Sequence, residues 1–274
     1  KLRNVQSYVE KESRKDYSDF KFDKNKKIAI VGFGPAGMFS ALAFAEAGIN
    51  VTVFERGEKV DDRIKSIDEF ITTRKLNPES NIQFGEGGAG TFSDGKLTNR
   101  KKDIRGKWLF EKFVEAGAPK EILYVHNPHI GTDKLVDIVK SIRGTILSSG
   151  STIKFNSKVT DIIKSKNGIE VTVNGVKEDF DYVVLAIGHS SRDTIEMLYN
   201  NQVDIVQKPF AVGFRIEHRQ SMINKSQFGP SHNNERLGAA DYKLTHQTKN
   251  NKGVYTFCMC PGGLVVPASS EEGM

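Results

Sequence analysis

The spacing of apolar residues predicts an alternation of strands and helices over the first 200 residues. Residues 27–31 and 50–54 are short β-type runs, and the apolar stretch 38–47 between them ends at Gly48, where a helix C-cap glycine belongs. Further strands are predicted at 151–155 and 182–187, and further helices at 61–73, 108–116, 133–148 and 193–199. We therefore expect an α/β protein with buried parallel strands and right-handed crossovers.

Two Asn-Gly pairs interrupt this alternation. Asn167-Gly168 and Asn174-Gly175 separate strand-like runs at 159–164, 169–173 and 176–180. Asn-Gly is the strongest short-range hairpin signal because both turn positions need a positive φ. The pattern predicts a three-stranded β-meander. Farther along, residues 210–216 and 254–260 are predicted strands of a second sheet.

A glycine fingerprint follows the first predicted strand. Gly32-x-Gly34-x-x-Gly37 opens the first helix, and Glu55 ends the second strand 18 residues after Gly37. This context is the one that dinucleotide binding requires: tight turn, close approach to a pyrophosphate, helix–strand packing and a ribose-binding carboxylate. The fingerprint alone leaves FAD and NAD open, whereas Glu55 disfavours NADP because it would repel the 2′-phosphate. The meander and the strand leading to Gly188 favour FAD.

A second glycine-rich stretch, residues 85–97, has the sequence GEGGAGTFSDGKL. Successive glycines form concavities of N–H groups that bind anionic oxygen, and they also allow a flat ring to approach closely. Composition alone leaves a flexible surface loop as an equal alternative.

These motifs, together with Glu55-Arg56-Gly57, residues 77–84 (NPESNIQF), residues 128–133 (PHIGTD) and residues 255–263 (YTFCMCPGG), resemble the FAD-utilising dehydrogenases of bacteria and plastids. The resemblance runs from about residue 27 to the last residue. It implies non-covalent FAD in a glutathione-reductase-like, two-domain fold, with no settled substrate. Members of that family are much longer, and a later segment returns to their FAD domain.

The resemblance divides the chain into a polar arm (1–26), a Rossmann-like FAD-binding domain (27–200) and part of a mixed-sheet substrate domain (201–274). Candidate cofactor-binding residues are Gly32, Gly34, Pro35, Ala36, Gly37, Glu55, Arg56, Arg63, Gly87, Gly88, Ala89, Gly90, Thr91, Val159, Ala186 and Gly188. Arg63 is included because related flavoproteins often place an arginine there, although a solvated helix charge is an equal interpretation. We assign no general acid or base.

Charge and cysteine content narrow the alternatives. Lys and Arg outnumber Asp and Glu by 40 to 34, but residues 1–27 carry +4 of the net +6, so a solvated arm is favoured over a nucleic-acid-binding face. Two cysteines cannot form a disulfide framework, which favours a reducing cytoplasm. The uncharged stretch 28–45 is broken by glycines and proline, so we expect no membrane segment.

Three other groups of residues are candidates for redox, catalytic or RNA-binding roles. Cys258 and Cys260 share one strand face, and we favour packing over redox chemistry because a Cys-x-Cys disulfide closes a strained ring. His126 and His129 are expected to be packing or capping residues, and no metal-ligand spacing occurs. The basic residues Arg100, Lys101, Lys102, Arg105 and Lys107 are the basis for an alternative RNA-modifying flavoprotein.

The sequence therefore predicts an FAD-dependent oxidoreductase that exchanges electrons with NADH, NADPH or an unidentified organic substrate. A cofactor-binding fragment without activity is a further alternative.

Overall fold

A computed structural model describes residues 17–273 except 19, 94, 98–102, 126, 127, 129, 167, 257, 258, 262 and 264. The chain divides into two compact units, of which the first runs to Ile205 and includes Ala268–Met274, and the second is Val206–Pro267. The described strands are β1 (Ile28–Val31), β2 (Thr52–Phe54), β3 (Thr152–Lys154), β4 (Val159–Ser165), β5 (Gly168–Val173), β6 (Val176–Phe180), β7 (Tyr182–Leu185), β8 (Thr245–Gln247) and β9 (Gly253–Tyr255). The α-helices are α1 (Pro35–Glu46), α2 (Val60–Thr73), α3 (Ile104–Glu115), α4 (Thr132–Ser148), α5 (Arg192–Asn200) and α6 (Gln220–Phe228).

A four-stranded parallel sheet forms the centre of the first unit. Its order is β3-β2-β1-β7, and Ile30 of β1 lies opposite Val53 on one side and Val184 on the other. All four residues of β1 are buried, as a continuous apolar run in a central parallel strand should be. The predicted α/β class with a parallel sheet is confirmed.

The two faces of this sheet pack against different layers. Ile28 and Ile30 join a core with α1, α3 and α4, in which Leu42 and Ile142 are buried. Ala29 and Val31 point the other way and pack with the antiparallel sheet β4-β5-β6. The strand period of two thus gives β1 one helical and one sheet neighbour.

The antiparallel sheet is the predicted meander. β5 pairs with β4 and with β6, and the β5–β6 turn has positive φ at both Asn174 (49°) and Gly175 (80°). Phe180 meets Phe54 edge-on at 5.9 Å between ring centroids, which anchors the meander to the parallel sheet.

Two sequence-based expectations were wrong. Strand β7 was expected to be buried, but Tyr182 and Leu185 are exposed because β7 pairs only with β1 among the described strands. Residues 210–216 form no strand, and Phe210, Val212 and Phe214 are at least 85% exposed. Their alternation is typical of a strand, but no described segment of the second unit pairs with them.

The second unit, described by itself, contains α6 and the hairpin β8–β9. The strand predicted over 254–260 ends at Tyr255, so the described Cys260 lies outside it and is exposed. No helix within the described ranges has both the length and the apolar character needed to cross a membrane.

Candidate functional site

A cleft of about 320 Å³ lies at the carboxyl ends of the parallel strands in the first unit. Val31, Phe54 and Ala186, at or just beyond the ends of β1, β2 and β7, contribute to its wall. Ligands of open α/β sheets bind at this edge. Of the candidate residues, Gly32, Gly34, Pro35, Ala36, Glu55, Arg56, Gly88, Ala89, Gly90, Val159, Ala186 and Gly188 line the cleft.

The fingerprint turn presents the N-terminus of α1 to this cleft. The first intrahelical hydrogen bond runs from the N–H of Met38 to the carbonyl of Gly34 (2.9 Å). The N–H groups of Ala36 and Gly37 precede that bond, so they have no partner within the helix. Gly37 serves packing, because a Cβ there would lie 1.9 Å from the carbonyl oxygen of Gly32. The turn therefore offers N–H donors and the positive end of a helix dipole.

The second glycine-rich segment lies directly against the first. The N–H of Gly87 donates to the carbonyl of Phe33 (2.9 Å), and a Cβ on Gly88 would approach Gly34 Cα to 3.0 Å. Residues 85–90 are thus held beside the helix N-terminus, rather than forming the independent surface loop that composition had left open. The two segments together form a cradle lined by glycine backbone and by the small side chains of Pro35, Ala36 and Ala89.

Arg63 and Thr91 support this loop from inside the protein and are not among the residues that line the cleft. The fully buried guanidinium of Arg63 donates to three carbonyls, those of Asn81 (2.8 Å), Ile82 (2.9 Å) and Glu86 (2.6 Å). Burial lowers the pKa of Arg63 to about 10, against the opposing effect of Glu55 and Glu86. Thr91 is buried, and its hydroxyl also donates to the backbone carbonyl of Glu86 (3.4 Å). Arg63 is therefore neither a solvated helix charge nor a lining residue.

Glu86 is a further member of this support that sequence reasoning missed. Its buried Oε2 accepts hydrogen bonds from the N–H of Val60 (2.8 Å) and from Arg143 Nη1 (2.6 Å), which ties the loop to α2 and α4. Burial raises the pKa of Glu86, although both partners oppose the shift. The available signal was a carboxylate inside a glycine-rich motif, but nothing in the sequence points to Arg143, 57 residues away.

Glu55 holds three backbone groups. Its Oε2 accepts from the N–H of Phe33 (2.6 Å), and its Oε1 accepts from the N–H groups of Gly57 (2.9 Å) and Gly85 (3.0 Å). A carboxylate has about four acceptor directions, so one remains for a ligand hydroxyl. Glu55 therefore joins the fingerprint turn to the glycine loop and also borders the cleft.

Arg56 takes part in a closed ring of charges at the cleft wall. Arg56 contacts Glu79 (2.7 Å) and Asp193 (2.8 Å), and Lys158 contacts the same two carboxylates (2.7 and 2.9 Å). Partial burial raises the pKa of Asp193 and Glu79 because it disfavours the ionised form. The hydrogen bonds from Arg56 and Lys158 have the larger opposite effect, so the pKa of both carboxyl groups lies below the usual range. We call Arg56, Glu79, Lys158 and Asp193 the charge ring. Sequence reasoning found only Arg56.

The remaining candidates lie apart from this geometry or outside the described residues. His126, His129, Cys258, Arg100, Lys101 and Lys102 lie outside the described residues. Arg105 pairs with Asp103 (2.5 Å), and Lys107 lies 3.9 Å from Glu111, so the described part of the basic segment has its charges locally matched. Since Arg100, Lys101 and Lys102 lie outside the described residues, the RNA alternative stays a prediction.

Residues 209–274 match the family described as FAD-dependent protein, C-terminal domain-like. This segment of the chain is similar to the C-terminal domain of FAD-dependent proteins. A curated but uncharacterised protein of Clostridium beijerinckii is 52% identical over 246 residues, which are 89% of this chain and 46% of that protein. The chain thus spans about half the length of this relative.

Solved structures show lower similarity. THI4 of Thermovibrio ammonificans is 16% identical with a TM-score of 0.42, over 65% of this chain and 64% of that one. The flavoprotein disulfide reductase RclA of Escherichia coli is 15% identical with a TM-score of 0.29, over 60% and 21% of the two chains.

The cleft fits the cofactor that the family match indicates. A pyrophosphate needs N–H donors and close backbone approach, which the α1 N-terminus and the glycine cradle supply. Gly188 also lines the cleft, and it leaves open space there because a Cβ would meet no protein atom within 4 Å.

Proposed function

We propose that this chain forms the FAD-binding part of a flavin-dependent oxidoreductase. The observation that carries the proposal is the convergence of the α1 N-terminus, the glycine loop and the Glu55 carboxylate on one cleft at the carboxyl ends of β1 and β2. When bound, FAD supplies hydride and one-electron transfer, chemistry that amino-acid side chains do not provide.

In this proposal the protein's own groups divide the work of binding. The N–H groups of Ala36 and Gly37 face the pyrophosphate, whose charge the α1 dipole favours. The remaining acceptor direction of Glu55 receives a ribose hydroxyl. Arg63 and Glu86 keep the glycine loop in place through its backbone and act as positioning residues.

We further propose that the electron partner is NADH, NADPH or a small organic molecule. Flavin-dependent oxidoreductases exchange hydride with such molecules, and Gly188 and His189 line the cleft without filling it. Anaerobic addition of NADH and NADPH in turn, followed by the flavin absorption spectrum, tests this part. Bleaching identifies the nicotinamide donor, and no bleaching with either directs the search to organic substrates.

Cofactor identity is tested by denaturing the purified protein and separating the released nucleotides by chromatography. FAD is the expected product, and exclusive recovery of NAD would overturn the proposal. Titration of FAD into the apo-protein, followed by flavin fluorescence, then gives the affinity on which the variants below are compared.

Gly34→Ala is the sharpest probe of the cradle. Gly34 has φ −73°, and its added Cβ would lie 3.6 Å from Gly88 Cα, so the apo-protein accommodates alanine without strain. The same methyl group would stand where the pyrophosphate approaches the backbone. We expect a loss of at least tenfold in FAD affinity with an unchanged melting temperature. Gly144→Ala in α4 is the matched control, since its Cβ would meet nothing within 4 Å and Gly144 lies away from the cleft.

A further inference from the structure

Two residues that are positively charged at neutral pH line the cleft next to Glu55, the proposed ribose-binding carboxylate. They are Arg56, adjacent to Glu55, and Lys158. In dinucleotide-binding folds, an arginine near this position accommodates the 2′-phosphate of NADP. Their presence alone would therefore indicate a site for a phosphorylated ribose.

The charge ring changes this interpretation. Arg56 uses Nε on Glu79 and both Nη atoms on Asp193, at 2.7–3.0 Å, and Lys158 Nζ contacts both carboxylates. The two positive and two negative charges cancel within the ring. Neither cation can turn towards a phosphate without breaking an ion pair with a ring carboxylate.

The ring is also fixed in place by its surroundings. Arg56 follows β2, Lys158 precedes β4, Asp193 lies in the first turn of α5, and Glu79 belongs to the segment that leads to the glycine loop. The Arg56 guanidinium packs 4.3 Å above the ring of Phe84, which is buried and lines the cleft. Planar stacking and bidentate pairing together restrict an arginine side chain strongly.

We propose that the charge ring makes this site selective for an unphosphorylated adenosine ribose, with Glu79 and Asp193 as the specificity-determining residues. The inference rests on the proposed function and extends it. A 2′-phosphate would meet the negative Glu55 and a neutral ring, so repulsion is not offset by a free cation. Specificity of this kind comes from opposing the wrong ligand rather than from added contacts to the right one.

The proposal predicts a gain of binding when a ring carboxylate is neutralised. Glu79→Gln keeps the shape of the side chain but removes one negative charge, which leaves the ring with a net positive charge beside the ribose site. Asp193→Asn does the same from α5 and serves as an independent second variant. Glu170→Gln is the control, because Glu170 pairs with Lys177 on the meander (2.7 Å) and lies away from the cleft.

The probes are adenosine 5′-monophosphate and adenosine 2′,5′-bisphosphate, which differ only in the 2′-phosphate. The affinity of each probe is measured by its displacement of bound FAD at constant ionic strength. Circular dichroism confirms the fold of every variant. We expect the wild type and Glu170→Gln to bind the monophosphate at least tenfold more tightly. In Glu79→Gln or Asp193→Asn this preference should shrink at least tenfold.

Two different failures are distinguishable. If the wild type binds FAD but does not discriminate between the probes, or if both folded ring variants keep the wild-type ratio, the ring is not the specificity determinant. If the wild type binds neither FAD nor the monophosphate, the proposed function itself is wrong, and this inference falls with it.

Discussion

At the scale of single residues, Glu55 combines two roles in one carboxylate. It accepts the backbone N–H groups of Phe33 and Gly85, from the two glycine-rich segments, and that of Gly57, and it borders the cleft. A buried carboxylate with several N–H donors is a structural element as well as a ligand, because each donor would otherwise be left without a partner.

This arrangement predicts that Glu55→Gln destabilises the protein even without FAD. Each Glu55 oxygen accepts at least one backbone N–H, so the amide nitrogen of glutamine must face a donor in either orientation. We expect the free energy of unfolding of the apo-protein to fall by about 1–3 kcal/mol, the cost of an unsatisfied buried donor. Urea unfolding measures it, with the exposed Glu69→Gln as the control. Unchanged apo stability with weakened FAD binding would show that the carboxylate serves only the ligand.

Only part of the candidate site could be predicted from the residues in the sequence. The glycines and Glu55 stand in a short, ordered motif, so their spacing predicted the cradle. Glu79, Lys158 and Asp193 meet Arg56 only because four segments converge in the fold, and no local pattern records that convergence. The ion pair between Arg143 and Glu86 could not be predicted for the same reason.

At the scale of elements, the turn after β7 lines part of the cleft. Gly188 has φ +70°, a conformation that costs other residues about 1–2 kcal/mol. Gly175, in the β5–β6 turn, has φ +80° and likewise no atom within 4 Å of an added Cβ. Only Gly188 lines the cleft.

The two positions form a matched pair for substitution. Gly188→Ala and Gly175→Ala should lower the melting temperature by similar amounts, because both place alanine at a positive φ. Only Gly188→Ala should also weaken FAD binding, measured by fluorescence titration. Equal FAD affinities in the two variants would place the bound cofactor away from the turn after β7.

Elements defined by local signals were predicted well, and elements defined by pairing were not. The β5–β6 hairpin followed from Asn174-Gly175, whereas Asn167 lies outside the described residues and Gly168 belongs to β5. Helices α1 to α5 followed from apolar periodicity and glycine stops. Residues 210–216 have a strand pattern but no described partner, and β7 has an apolar sequence but only one neighbour. Burial of a strand depends on what pairs with it, which its own residues do not encode.

At the scale of the whole first unit, the charge ring links α5 to segments from three earlier parts of the chain. The pKa values of Glu79 and Asp193 are lowered in the folded protein, so their contribution to stability is present at neutral pH. That contribution decreases as the pH falls below about 4, the usual carboxyl range, towards the lower folded values.

A pH series of urea unfolding tests this linkage. The stability difference between the wild type and Asp193→Asn should be constant from pH 7 to about pH 5 and should narrow as the pH falls below about 4. The variant lacks the titrating group, so its own curve gives the background. A difference that persists undiminished at the lowest pH at which the protein folds would show that the ring stabilises the fold without its charges.

The ring also has a consequence for the timing of synthesis. Arg56 and Asp193 are separated by 137 positions, so the ring cannot close while the chain is still being extended through the meander. At about 5–20 residues per second, roughly 7–27 s pass on the ribosome between the two residues. During that interval the residues of the fingerprint turn and Glu55 have been synthesised, whereas Arg56 lacks its bidentate partner. Under the proposed role of the charge ring, selectivity among nucleotides is therefore acquired late in translation, after the residues of the glycine cradle have been synthesised.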